Sequence, residues 1–112
     1  MPDRDWRLRI TDILDAIVAV QSYTAGMDYD EFVRDRRTVD AVLHNIATIG
    51  EAATRVPEEV IAAYPEIPWR DMRDIRNIIV HEYFGVNPRI VWITVQEDLS
   101  VLVQPLQALL IE

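Results

Sequence analysis

The sequence predicts an all-α protein, an antiparallel bundle of about five helices, on three observations. Apolar residues recur at steps of three and four over most of the chain, as one face of a helix requires. The period-two alternation of a half-buried strand is absent. Most Gly and Pro residues fall between the periodic stretches, where they punctuate helices.

Helix one carries Trp6, Ile10, Ile13, Ile17 and Val20 on one seam and stops at Thr24-Ala25-Gly26. Helix two starts on a cap at Asp28 or Asp30, and its seam is Phe32, Val39, Leu43, Ile46, Gly50 and Ala53. A short third helix opens at Pro57, whose missing N–H is no loss in a first turn, and ends near Tyr64-Pro65. Pro68 closes the linker, Trp69-Arg70-Asp71 opens helix four, and Gly85 ends it. Asn87-Pro88 starts helix five, with its seam at Trp92, Val95, Leu99, Leu102, Leu106 and Leu109. Pro105 lies inside helix five and is expected to kink it, because it cannot donate to the carbonyl of Val101. Trp6, Trp69 and Trp92 read as core or interface anchors. Residues 1–112 form a single domain, with no repeat and no low-complexity segment.

Half of the 112 residues are apolar, enough for a full core and against disorder. The absence of cysteine excludes disulfides and thiolate metal sites and fits a reducing compartment. The start lacks the basic-then-apolar pattern of a signal peptide, and no apolar run approaches the ~20 residues of a membrane span. A cytoplasmic protein without a membrane partner is expected. Two histidines in the whole chain make a metal site at His44, Asp40 and Glu51 improbable, and no metal or cofactor is predicted. A net charge of −8 opposes diffuse binding to nucleic acid. All eleven basic residues are Arg, so a local Arg-lined cleft is still open to the chain.

The densest chemistry lies at residues 76–83, Arg-Asn-Ile-Ile-Val-His-Glu-Tyr. At about 100° per residue Met72, Ile75, Ile78 and Ile79 share the core side of helix four. Arg70, Arg73, Asn77 and His81 fall opposite, with Arg76 and Tyr83 at the boundary. Val80 and Phe84 sit among the polar residues, which points to a covered face and hence to a homodimer with both copies meeting in one cleft. Cleaving RNA without a metal requires a proton taken from the 2′-hydroxyl, a proton given to the leaving oxygen, and charge stabilisation on phosphorus. His81 is the acid–base candidate, Arg76 the phosphate grip, and Asn77 a group that orients one or the other. Glu51, next to Gly50 in an apolar stripe, is either a carboxylate paired with Arg76 or Arg73 to orient the cleft or an ordinary edge residue. Arg70 and Arg73 recur with Arg76 every three residues and form a strip that could bind RNA; Arg34, Arg36 and Arg37 could extend it. Each residue taken singly also has a plainer role: a solvated Arg, a His closing the last helical carbonyls, a Tyr at the core edge.

The spacing Arg76, four residues, His81, one residue, Tyr83 resembles the R-x(4)-H-x-Y signature of HEPN-domain ribonuclease toxins, and the nearest branch is HepT-like. The five-helix layout is similar to that family, as are Asp28-Tyr29-Asp30-Glu31-Phe32, Ile49-Gly50-Glu51-Ala52 and the tail His81 to Val86. The resemblance implies a homodimeric all-helical toxin of a type II toxin–antitoxin system, acting as a metal-independent endoribonuclease. It implies a partner, a minimal nucleotidyltransferase (MNT) antitoxin that transfers AMP to Tyr83. It assigns Arg76 and His81 as catalytic, Asn77 as supporting and Tyr83 as the modified residue. An anionic adduct on Tyr83 would occupy the cation meant for substrate phosphate. The other reading is a non-catalytic HEPN module that binds a nucleotide or partner and acts only with a nucleotidyltransferase.

Overall fold

In the computed structural model, residues 5–77 and 88–111 are described. Every regular element among them is helical. Helix α1 (Trp6–Thr24) is capped by the Asp5 carboxylate, which accepts from the backbone N–H of Arg7. Its seam of Ile10, Ile13, Ile17 and Val20 is fully buried. Each such aliphatic side chain stabilises the fold by about 1.5–3 kcal/mol relative to exposure. Gly26 takes φ +78°, a left-handed conformation that lets the chain reverse. Of the two candidate caps, Asp28 is used: it accepts from the Glu31 N–H at 2.8 Å while the Glu31 carboxylate accepts from the Asp28 N–H at 3.1 Å.

The predicted second helix is in fact two, α2 (Tyr29–Arg34) and α3 (Arg36–Thr54). Asp35 separates them with extended backbone, donating its N–H to the Phe32 carbonyl and accepting from the Thr38 N–H through its side chain. One residue therefore ends one helix and starts the next. Hydrogen bonds from the Thr38 backbone and hydroxyl hold the Asp35 carboxyl below its ordinary pKa. The seam gave no warning of the break. Phe32 and Val39 are seven apart, as an unbroken helix would place them, and the local side-chain cap overrides the periodicity.

Pro57 precedes α4 (Glu58–Ala63), and Pro68 precedes α5 (Trp69–Asp74). The linker is pinned by the Trp69 indole, which donates to the Tyr64 carbonyl at 2.9 Å. Ile75 forms a turn, and Arg76 and Asn77 are helical again. The predicted end at Gly85 and the cap at Asn87 lie outside the described residues.

The last helical stretch begins with α6 (Pro88–Ile93). It widens into a π turn over Thr94–Asp98, tightens into a 3-10 turn over Ser100–Leu102, and returns to α geometry in α7 (Val103–Ile111). The disturbance expected at Pro105 thus falls upstream of it. Pro105 occupies the first turn of a fresh α segment, where an absent N–H costs little.

Helix α1 lies along α3, α5 crosses α3, and α7 packs back on α1. Met72 and Ile75 of the predicted core face are buried. Trp92 joins α6 to α2 through Phe32, with ring centroids 5.1 Å apart. Trp69 is buried, and Trp6 and Trp92 are half-buried against the core, as anchors should be. No helix among the described residues is long and apolar enough to cross a membrane.

Candidate active site

Two residues past α5, the chain meets α3 at Gly50. A Cβ on Gly50 would stand 2.9 Å from Cδ of Arg76 and nearer still to its Cγ. Gly50 is therefore required by close approach, because the stem of Arg76 lies directly on the α3 backbone. That seat delivers the guanidinium to Glu51, one residue on. Arg76 Nη1 donates to Glu51 Oε2 at 2.9 Å, an ion pair between residues 25 apart in the chain. The other carboxylate oxygen accepts from Arg55 Nη2 at 3.2 Å. Glu51 is clamped from both sides, and two guanidiniums share one negative charge.

The Arg76–Glu51 pair is about half exposed, 49% and 54% for the two side chains. At that exposure it adds at most about 1 kcal/mol to stability. What it contributes is orientation: the flexible Arg76 side chain is held at its stem by Gly50 and at its head by Glu51. The remaining N–H donors of its fork stay available for an anion.

Arg76 and Glu51 border a groove of about 510 Å³ between α1 and α3. Arg9 and Asp12 of α1 line one wall, and His44, Ala47, Thr48 and Ala52 of α3 line the other. Arg9, Asp12 and Thr48 were not singled out from the sequence, and His44 only as an improbable metal ligand. The signal that could have found the α3 wall was present, since His44, Thr48 and Glu51 are spaced by four and three. The α1 wall required knowing that α1 pairs with α3. Among the described residues no cluster of three His, Cys, Asp or Glu side chains stands close enough to hold a metal ion.

The other predicted site residues are dispersed. Arg73 turns to α4 and pairs with Glu58 at 3.4 Å, so Arg76, and not Arg73, is the partner of Glu51. Arg70 and Asn77 are exposed, and neither lines the groove. Arg34, Arg36 and Arg37 do not extend an arginine strip towards Arg76. They border a separate depression at the α2–α3 junction. Fifteen residues of helix separate Arg36 from Glu51, about 22 Å of rise. His81 and Tyr83 lie outside the described residues.

The ribonuclease HepT-like family model matches residues 13–109, which takes in the α3 wall of the groove and Arg76 but not Arg9 and Asp12 of the α1 wall. The chain belongs to the ribonuclease HepT-like family. Among similar proteins, "Putative RNase MJ0127" of Methanocaldococcus jannaschii is 39% identical over 92 residues, covering 82% of this chain and 76% of the relative. "Probable ribonuclease HepT" of Thermococcus cleftensis is 38% identical over 93 residues, covering 83% of this chain and 84% of the relative. No solved structure matches the chain. Membership in the HepT-like family agrees with the motif of Arg76, His81 and Tyr83 and with the all-helical architecture.

Proposed function

We propose that this HepT-like chain is a metal-independent endoribonuclease toxin that acts as a homodimer. The observation that carries the reading is Arg76, seated on Gly50 and held by Glu51 at the mouth of a groove. A fixed guanidinium is what stabilisation of a phosphorane requires, since its donors stand ready before charge develops. Family membership supports RNA as the substrate.

In this reaction the substrate's 2′-oxygen attacks the adjacent phosphorus, the bond from phosphorus to the 5′-oxygen breaks, and a 2′,3′-cyclic phosphate forms. His81 takes the 2′-hydroxyl proton as base, and the leaving 5′-oxygen is protonated by the second His81 of the dimer. Arg76 holds the non-bridging oxygens, Glu51 orients Arg76, and Asn77 supports the pair. Arg70 and Arg73 contribute positive potential outside the groove. An MNT-type antitoxin closes the site by transferring AMP to Tyr83, which places an anion near the cation that RNA needs.

The test is RNA cleavage by the parent, Arg76→Ala and His81→Ala in the presence of EDTA, with growth arrest scored alongside. The parent cleaves and arrests growth, and each variant loses about 10³-fold while still sedimenting as a dimer. A parent inactive on RNA would overturn the assignment in favour of a binding module. Intact mass after incubation with an MNT partner and ATP should rise by AMP, and Tyr83→Phe should abolish the gain.

A further inference from the structure

We propose that the α1–α3 groove contains a second phosphate subsite, built by Arg9 and His44, which holds the RNA backbone beside the phosphate gripped by Arg76. The inference rests on the RNA-cleaving reading above and extends it along the groove.

Arg9 is the first reason. Arg7, Arg36, Arg55, Arg73 and Arg76 each sit on a carboxylate. Arg9 has no such ion pair among the described residues, and its Nε, like that of Arg73, is buried without a hydrogen-bond partner among them. A guanidinium N–H withdrawn from water and left unsatisfied is costly, and the cost is recovered when an anion accepts from it. Asp12, one turn further along α1, is engaged in an interaction of its own.

Extent is the second reason. From Glu51 back to His44 the groove follows seven residues of α3, about 10 Å of rise. That exceeds what one phosphate on Arg76 fills, and about 510 Å³ suits a ligand of nucleotide size. The wall over this length carries the His44 imidazole, able to donate to phosphate, and the Thr48 hydroxyl, which donates to the His44 carbonyl at 3.2 Å and can accept from a sugar hydroxyl.

Charge is the third. The groove and the Arg55 that clamps its rim set three guanidiniums, those of Arg9, Arg55 and Arg76, against the carboxylates of Asp12 and Glu51. With Arg55 included, one positive charge remains in excess among the described residues there, on a molecule of net −8. A polyanion repelled by the general surface is attracted to such a strip.

The experiment uses full-length protein and a single-stranded RNA whose 2′-hydroxyls are methylated, so that it binds without being cut. Affinity is measured against salt for the parent, Arg9→Gln, Arg9→Lys and His44→Ala. Arg9→Gln should weaken binding about 10-fold and flatten the slope of log K against log salt by about 0.7, one single-strand phosphate contact. Arg9→Lys should keep the slope, and His44→Ala should cost about threefold. In a second measurement, single phosphates are replaced by neutral methylphosphonates. Two adjacent positions should each weaken binding to the parent, and one should lose its effect in Arg9→Gln. The subsite is refuted by a parent sensitive at a single phosphate, or by an Arg9→Gln variant with unchanged affinity and slope. A parent that neither binds this RNA nor cuts an unmodified one defeats the ribonuclease reading itself, and the subsite with it.

Discussion

The two ends of α3 each carry an arginine–carboxylate pair, and the two pairs do different things. At the N-terminal end Arg36 meets Asp40 at 3.1 Å, four residues along one helix, with the Arg36 side chain 84% exposed. At the C-terminal end Glu51 meets Arg76 across 25 residues of chain. The first pair closes nothing and borders no groove with the second. The second ties the residues just past α5 to α3, and its arginine has a glycine beneath it and another guanidinium on the far side of its partner. A local pair in water is a solvated detail. A tertiary pair that fixes a long side chain at both stem and head is a positioning device.

The comparison can be broken at Gly50 first. Gly50→Ala leaves the helix intact, since alanine suits a helix interior better than glycine. Its methyl group nevertheless drives Arg76 off its seat. RNA cleavage should fall about 100-fold with helical content unchanged, because a displacement of about 1 Å in a reacting group has that effect. Unchanged cleavage by Gly50→Ala would mean that the position of Arg76 is immaterial.

Glu51→Gln is the next smaller change. It keeps shape but removes the charge that holds two guanidiniums, and cleavage should drop about tenfold, as measured by initial rates at fixed RNA. At the opposite end Asp35→Ala should touch stability and spare cleavage. Its melting temperature at neutral pH should lie a few degrees below the parent's. The sign with pH follows from the lowered carboxyl: a cap formed by ionised Asp35 is present above its ordinary pKa of 3.8 and is lost as pH falls through the lowered folded value. Melting curves of parent and variant should therefore converge in acid. Arg36→Ala is the smallest expected effect, below about 0.5 kcal/mol in stability and none in cleavage.

Much of the fold was legible because burial imposes a period. Ile10, Ile13 and Ile17, and likewise Leu99, Leu102, Leu106 and Leu109, announce their faces by spacing, and all seven are buried. Caps and local hydrogen bonds were legible only in part. Asp28 is one of two candidates in the sequence, and Asp35 gives no signal because an aspartate between seam positions looks like any exposed polar residue. In the site, the pairing of Glu51 with an arginine could be anticipated from a carboxylate set in an apolar stripe. The role of Gly50 could not, since close approach depends on which helix crosses there. Arg9 was invisible for a similar reason: it joins Arg76 only through the packing of α1 on α3. The partners within the arginine strip are not legible, because a three-residue repeat says nothing about them, and Glu58 pairs with Arg73.

The π turn over Thr94–Asp98 and the 3-10 turn over Ser100–Leu102 follow each other with a single residue between them. The first unwinds the helix and the second overwinds it, so their angular errors largely cancel. That cancellation is why Val95, Leu99, Leu102 and Leu106 all still reach the interior. Shortening the chain by one residue within 94–98 would remove the slack turn and leave the tight one. The final segment would then swing about its own axis and lift its leucines away from α1, although no leucine had been altered.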